Sequence, residues 1–309
     1  MTAPRVSIVT ATYNASHLLR HAIGSVLLQD FEDWELIVVG DCCTDDSEAC
    51  VASFGDDRIR FVNLPSNSGQ QATPNNRGVE LARGDFLCFL NQDDLFLPHH
   101  LSSNLARLEQ TGADLVLSTY ADIQVEQPEA IGAGEIVAKG AGHELHGRFE
   151  PRTFHVASSW FMPRETAERV GPWRLERETW VTPSQDWLFR AWRRGVRIHC
   201  SEAVSLVAIF SSRRPGFFRQ RVSPEHDFVF REVIAGDRLR AATQEAVASW
   251  IARRRRPRER KPIKRIRRWT RRRFDAGLAC IGVHPDSVRL MREHPRRGAY
   301  VESLKRVSR

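Results

Sequence analysis

Short β-branched runs alternate with amphipathic stretches from the first residues onward. Val6–Thr10 reads as a strand. Between Asn14 and Gln29, the residues Leu18, Leu19, Ala22, Ile23, Val26 and Leu27 recur on one face at helical spacing, with Ser16 as the expected cap. Glu35–Val39 predicts a second strand, Asp45–Phe54 a helix, Ile59–Asn63 a third strand, Thr73–Arg83 a helix ending at Gly84, and Phe86–Leu90 a fourth strand. Pro98 opens a further helix, in whose first turn its missing N–H costs nothing, and Leu115–Ser118 makes another strand. This alternation predicts an α/β fold: a doubly wound, mostly parallel sheet flanked by helices.

The regularity lapses after Tyr120. Residues 120–150 read as a loop or small hairpin over the sheet, either a lid or an inert insertion. His155–Phe161 then predicts a strand, Arg164–Val170 a helix, and Gly171-Pro172-Trp173 a turn. Ser184 reads as the cap of a helix over Gln185–Arg194 stopped by Gly195, and Val196–His199 and Ala203–Phe210 supply more strand. Beyond about Pro215 the sequence turns helical and polar. The expected organisation is an α/β domain over 1–214, divided into halves 1–119 and 120–214, followed by a helical, basic C-terminal appendage over 215–309.

The composition of the 309 residues, 41% hydrophobic and 27% charged, is that of a globular protein. Its net charge of +8 is localised, because Arg253–Arg273 holds twelve Arg and two Lys against one Glu and the rest of the chain is mildly acidic. The six Cys form no CxxC pair and suggest neither a disulfide framework nor a zinc site. Met1–Arg5 runs into the first strand without a leader-like apolar core, and no apolar run approaches the ~20 residues of a spanning helix. The expected location is cytoplasmic, with peripheral attachment to the inner face of the membrane.

In open α/β sheets ligands bind past the carboxyl ends of the strands, and those ends are polar here. The first strand ends in Thr10-Ala11-Thr12-Tyr13-Asn14, the second in Gly40-Asp41-Cys42-Cys43-Thr44-Asp45, and the fourth in Asn91-Gln92-Asp93-Asp94. Asp93 and Asp94 offer hard oxygen ligands to Mg²⁺ or Mn²⁺, which neutralises charge on a departing diphosphate. An Asp-Asp pair also serves as a plain cap or solvated turn. Asp41 can accept from a base N–H while Tyr13 flanks the ring, although a lone Tyr at a strand end commonly just packs. Asp186, in a first helical turn that favours an ionised carboxylate, can take a proton from an attacking hydroxyl; Asp there is also common for stability alone. Trp160, Trp173, Trp187 and Trp192 read mainly as core, and His99-His100 as surface.

Val6–Asn14, Glu35–Ser47, Asn67-Ser68-Gly69 with Asn76-Arg77-Gly78, and Gly84–Leu97 resemble, in order, motifs of the family 2 glycosyltransferases with the GT-A fold. Val170–Trp173 and Gln185-Asp186-Trp187 through Gly195 are similar to that family's acceptor-side motif. The resemblance spans about residues 4–212 and implies inverting transfer of a sugar from a nucleotide-diphosphate sugar, UDP-sugar favoured, to a hydroxyl acceptor, with a divalent metal (Mn²⁺ or Mg²⁺). It implies Thr12, Tyr13 and Asp41 as base-binding residues, with Thr10, Asn14, Asn76 and Gln92 completing the nucleotide-sugar site. Asp93 and Asp94 would hold the metal and diphosphate, and Asp186 would be the catalytic base. Four departures stand out: Asn91 where an acid usually begins Asp-x-Asp, Gly40 with Cys42-Cys43 at the second strand, Asn75 where a diphosphate-contacting Arg is frequent, and Gln185 for a frequent Glu. Two rival readings are a nucleotidyltransferase or sugar-nucleotide hydrolase on a similar sheet, and a non-enzymatic binding protein with a decayed site.

Pro257 and Pro262 break the basic segment, and a helix from Ile263 would put Ile266, Thr270 and Phe274 near one face with Trp269 at its border. Such a helix over 253–274 suits an anionic membrane surface and would help a lipid-linked glycan acceptor dock. A solvated tail is the plain alternative. Non-specific nucleic-acid binding is a third, without a recognisable nucleic-acid module to accompany it.

Overall fold

The computed structural model describes residues 3–124, 137–141, 149–209, 221–236, 240–255 and 262–307. At the centre of its sheet, β1 (Val6–Thr12) runs parallel to β2 (Trp34–Gly40) on one side and to β4 (Phe86–Phe89) on the other, with β3 (Ile59–Asn63) parallel to β2 at the edge. Beyond β4 the sheet becomes mixed. β8 (Trp160–Pro163) is antiparallel to both β4 and β6 (Leu115–Gln124), β6 is parallel to β9 (Ile198–Ile209), and β9 is antiparallel to the short β5 (Asp94–Phe96). The order is β3-β2-β1-β4-β8-β6-β9-β5, and β7 (Val137–Ala141) pairs with β6 as an antiparallel arm.

Every residue of β2 is buried, as expected of a parallel strand covered on both faces. Alternate residues serve opposite cores: Leu36 and Val38 join Val6, Ile8 and Phe96 on one face, and Ile37 and Val39 join Val9, Phe89 and Trp160 on the other. Helix α1 (Ser16–Leu27) covers the first face with Leu19, Ala22, Ile23 and Val26. Helices α2 (Ser47–Ala52), α3 (Ala72–Leu81), α4 (His100–Thr111), α5 (Arg164–Val170) and α6 (Pro183–Arg193) follow in order. On the second face Trp160 stacks between Trp173 and Trp187, with ring centroids 5.0 and 5.2 Å away. Under the β1–β2 pair, Glu35 accepts from the Ser7 hydroxyl at 2.7 Å and from the Arg83 backbone amide at 2.7 Å. Burial alone would push its carboxyl up, but these donors and the Arg83 and Arg60 guanidinium groups outweigh it and hold it down.

Several boundaries differ from expectation for local reasons. Ser16 lies inside α1, whose cap is Ala15, and α6 is capped by the Thr182 hydroxyl accepting from the Gln185 amide rather than by Ser184. The stretch before Trp160 is a single 3-10 turn at Ala157–Ser159, so β8 is shorter than His155–Phe161 and ends later. The two segments around residues 196–210 are one strand, β9, broken in register where β6 shifts near Thr119. The hairpin alternative for 120–150 matches β6 and β7. His100 is fully buried rather than on the surface, stacked 3.8 Å from the Phe96 ring.

The boundary near 214 falls outside the described residues. Beyond it, α7 (Pro224–Val229) and α8 (Arg240–Arg255) supply Phe228, Val229, Val247 and Ile251 to a third core shared with Leu95, Ile123 and Val207 of the sheet. Helix α9 (Pro262–Cys280) is tied to the body where Arg152 makes a two-pronged ion pair with Asp275, at 2.8 and 2.6 Å. Helices α10 (Ser287–Glu293) and α11 (Ala299–Val307) complete the described chain.

Candidate functional site

A cavity of about 590 Å³ opens at the carboxyl ends of β1 and β2 and just past β4. Its walls come from the three predicted strand tips: Thr12 and Tyr13, then Asp41, then Gln92 and Asp93. The tips are cross-braced. Gln92 Oε1 accepts from Thr12 Oγ1 at 2.8 Å and from the Tyr13 amide at 3.1 Å, so the fourth strand's tip is clamped to the first. The Tyr13 ring stands exposed at the mouth, free of the packing that a lone Tyr commonly serves.

Asp41 is buried and organises the opposite wall. One carboxylate oxygen accepts from the Ser68 amide at 2.9 Å and hydroxyl at 2.8 Å, and the other accepts from the Gly69 amide at 2.9 Å. A carboxylate has about four lone-pair sites, so these three bonds shape the 67–71 loop and leave acceptor capacity for a ligand N–H. Asn14 adopts φ 46° and turns away from the cavity, its Oδ1 accepting from the Thr44 amide at 2.8 Å.

Asp93 and Asp94 part company. Successive residues of an extended chain point to opposite sides, and Asp94 opens β5 rather than sitting in a strand-to-helix turn. Its carboxylate is buried, accepting from Asn91 Nδ2 at 2.8 Å and from Ser158 Oγ at 2.5 Å, away from the cavity wall. The expected Asp93–Asp94 ligand pair is therefore corrected to a single carboxylate at the wall. Burial pushes the Asp93 carboxyl up, and burial together with the Asp93 charge does the same to Asp94. The Asp93 backbone is pinned from below, its carbonyl accepting from His226 Nε2 at 3.0 Å.

Among the described residues no cluster of three His, Cys, Asp or Glu is arranged around a cation. Mg²⁺-type sites nevertheless commonly use one or two carboxylates and complete their shell with substrate phosphates and water. Asp93, half-buried on the cavity wall, offers the hard oxygen donor of such a one-carboxylate site, where a bound cation would offset the burial that disfavours its ionised form.

Two other predicted residues lie elsewhere. Thr10 is fully buried two residues deeper in β1. Asn76 faces a separate cavity of about 510 Å³, where its amide group clamps the backbone of Trp173, donating to the carbonyl at 3.0 Å and accepting from the N–H at 2.8 Å. That bond pair holds the Gly171-Pro172-Trp173 turn, a structural use for the residue.

The acceptor-side helix reaches the same cavity as Asp93. Thr182 and Pro183, at the start of α6, line it together with Glu176. Asp186, one turn along α6 from Pro183, is buried and does not line this cavity, so the expected base and Asp93 do not share its wall. Its carboxylate pairs with Arg190 at 2.8 Å and with the half-exposed Arg174 at 3.4 Å. Sequence reasoning missed Glu176, the 67–71 loop apart from its motif residues, and two residues of α11, Val301 and Lys305, which close the remaining side. The Glu-Arg-Glu run at 176–178 was the available signal for the first; none existed for the last.

A family model described as Glycosyl transferase family 2 matches residues 7–171. WcaA of Escherichia coli (strain K12), assigned as a colanic acid biosynthesis glycosyl transferase, is 37% identical over 121 residues, which are 38% of this chain and 43% of that protein. The Escherichia coli UDP-Glc:alpha-D-GlcNAc-diphosphoundecaprenol beta-1,3-glucosyltransferase WfgD is 30% identical over 115 residues, 37% of this chain and 45% of that one. The chain thus spans less than half the length of these relatives. The crystal structure of S. aureus TarS 1-349 in complex with UDP-GlcNAc superposes with a TM-score of 0.56 at 18% identity, covering 80% of this chain and 71% of that one. With the three strand tips and the 67–71 loop all inside the matched span, the chain belongs to glycosyl transferase family 2, on a GT-A-like sheet.

Proposed function

We propose that the protein is an inverting glycosyltransferase that moves a sugar from a nucleotide-diphosphate sugar, in first place a UDP-sugar, to a hydroxyl of a lipid-linked glycan during cell-surface polysaccharide assembly. The observation that carries this reading is the single cavity that joins Asp41, Asp93 and the start of α6. The names of WcaA and WfgD support the substrate class.

In this reading Asp41 accepts from the base and Tyr13 flanks its ring, while Gln92 keeps the two tips in register. Asp93 would hold a divalent cation, which would supply neutralisation of the charge growing on the leaving diphosphate. Asp186 takes the acceptor hydroxyl proton as the new C1–O bond forms on the face opposite the breaking C1–O–phosphate bond, and the nucleoside diphosphate leaves. Asp186 is held by Arg190 and Arg174 and does not line the cavity. Glu176, already on the cavity wall, is the second candidate for the base.

The organisation carried into this reading is 1–214 as the transferase part, with the later helices packed on it. Attachment to an anionic inner-leaflet surface would run through 253–274, where Trp269 and Phe274 are exposed on a basic helix. No described helix is long and apolar enough to cross a membrane.

The test is product analysis with the purified chain, a panel of UDP-sugars, Mn²⁺ and an undecaprenyl-diphosphate-linked acceptor. Transfer with release of UDP is expected. Release of pyrophosphate, or sugar delivered only to water, would favour the nucleotidyltransferase or hydrolase readings. Asp186→Asn should keep donor binding and abolish transfer, and loss of transfer in Glu176→Gln with full transfer in Asp186→Asn would reassign the base.

A further inference from the structure

We propose that helix α11 is a working wall of the donor pocket and that its Lys305 is the cation that receives the donor's diphosphate. This inference rests on the donor-site reading above and adds a residue about 200 positions beyond the last strand tip.

The helix is built to lie where it does. Gly298 precedes it at φ +80°, and a Cβ there would come within 3.2 Å of the Glu176 carbonyl oxygen, so the close approach favours glycine. The Gly298 amide donates to the Thr179 carbonyl at 3.0 Å, fixing the start of α11 to the acceptor-side loop. One turn in, Val301 is buried against the pocket. At the far end Lys305 Nζ donates to the Gly69 carbonyl at 2.6 Å and to the Glu176 carboxylate at 2.7 Å. A single ammonium thus ties the loop held by Asp41 to the loop that carries Glu176.

Charge gives this contact its meaning. Asp41, Asp93 and Glu176 line the cavity, and among the described residues on its wall Lys305 is the only Lys or Arg. Asn75, where the family often has an arginine, is buried and neutral here. A multiply anionic diphosphate entering this acidic cavity needs cationic partners besides one bound metal ion, and Lys305 is the side chain in place. Its ammonium can exchange the Glu176 carboxylate for a phosphate oxygen, one anionic acceptor for another, with little movement.

The test measures binding of UDP and of uridine, each with Mn²⁺, to the full chain and to Lys305→Met, Lys305→Arg and Glu176→Gln. Methionine keeps the apolar stem, so α11 keeps its packing. Lys305→Met should weaken UDP about tenfold or more while leaving uridine unchanged, because a charge-assisted hydrogen bond is lost only for the diphosphate. Lys305→Arg should recover most of that loss, and Glu176→Gln, which removes the competing anion, should tighten UDP. Unchanged UDP binding in Lys305→Met overturns the proposal. So does equal loss of UDP and uridine in both Lys305→Met and Glu176→Gln, which would make the pair a structural strap only. A wild-type chain that binds none of UDP, GDP, ADP and dTDP would remove the donor-site reading and this inference with it.

Discussion

Asn91 Nδ2 donates to the buried carboxylate of Asp94 at 2.8 Å, and Ser158 Oγ donates to the same oxygen. This relationship explains why an amide stands where the family resemblance leads one to expect an acid. An aspartate at 91 would set a second carboxylate against Asp94 in a site already made costly for charge by burial and by Asp93. Asn91→Asp should therefore lose about 1–3 kcal/mol in stability, because it removes the Asn91 donor from a buried acceptor and places a second acid in a site where burial disfavours charge. Urea unfolding at pH 7 measures it, and an unchanged midpoint would count against the account.

Gly78, in the Asn76-Arg77-Gly78 motif, is explained by packing. A Cβ there would lie 2.2 Å from Val9 Cγ1, with Val9 fully buried in β1. Replacing a mid-helix glycine by alanine usually gains about 1 kcal/mol. Overpacking costs about 1–3 kcal/mol and should win here. Gly78→Ala is expected to destabilise, and Val9→Ala in the same chain should recover part of the loss as a measured coupling.

His100 and His226 are both fully buried, and burial pushes each down to about 3. Their folded values lie below the unfolded value, so the unfolded chain binds the extra protons as pH falls. The stability they contribute is complete above about pH 6.5 and is lost from there toward pH 3. Each group sheds up to about 1.4 kcal/mol per pH unit within that window, less near pH 6.5 where the unfolded group is half protonated, so about 3 kcal/mol should go between pH 6.5 and pH 5. Denaturant titrations across that range should show the fall, and His100→Phe should make the slope shallower. A flat profile would mean that these rings do not stay neutral in the folded chain.

The sheet was legible because its strands are buried on both faces, which writes them as nearly continuous apolar runs such as Leu36–Val39. The short β5 was not, since three residues carry no periodicity, and β9 was split because Ser201 and Glu202 interrupt its apolar pattern. In the site, Thr12, Tyr13, Asp41, Gln92 and Asp93 could be found from their place at strand tips. Direction was the missing information: neighbours in sequence send Asp93 to the cavity and Asp94 into the core, and Asn76 points through α3 to a different turn. Lys305 carried no local signal, because its relation to Gly69 and Glu176 exists only once the chain has folded back on itself.

The basic helix α9 yields the last prediction. Trp269 and Phe274 are each 57% exposed, and the Arg273 guanidinium lies 4.4 Å from the Trp269 ring centroid. Large apolar side chains left in water among Arg residues combine the two attractions that an anionic bilayer offers, burial of rings at the headgroup boundary and charge pairing with lipid. The Arg152–Asp275 ion pair fixes this helix to the body, so rings and catalytic domain would dock together. Binding to vesicles containing phosphatidylserine should greatly exceed binding to neutral phosphatidylcholine vesicles, and should fall as salt screens the charge. Trp269→Ala with Phe274→Ala should weaken it about tenfold or more, since burying an aromatic side chain is worth about 1.5–3 kcal/mol. Equal binding to both vesicle types would refute the electrostatic part, and unchanged binding of the double variant would refute the insertion of the rings.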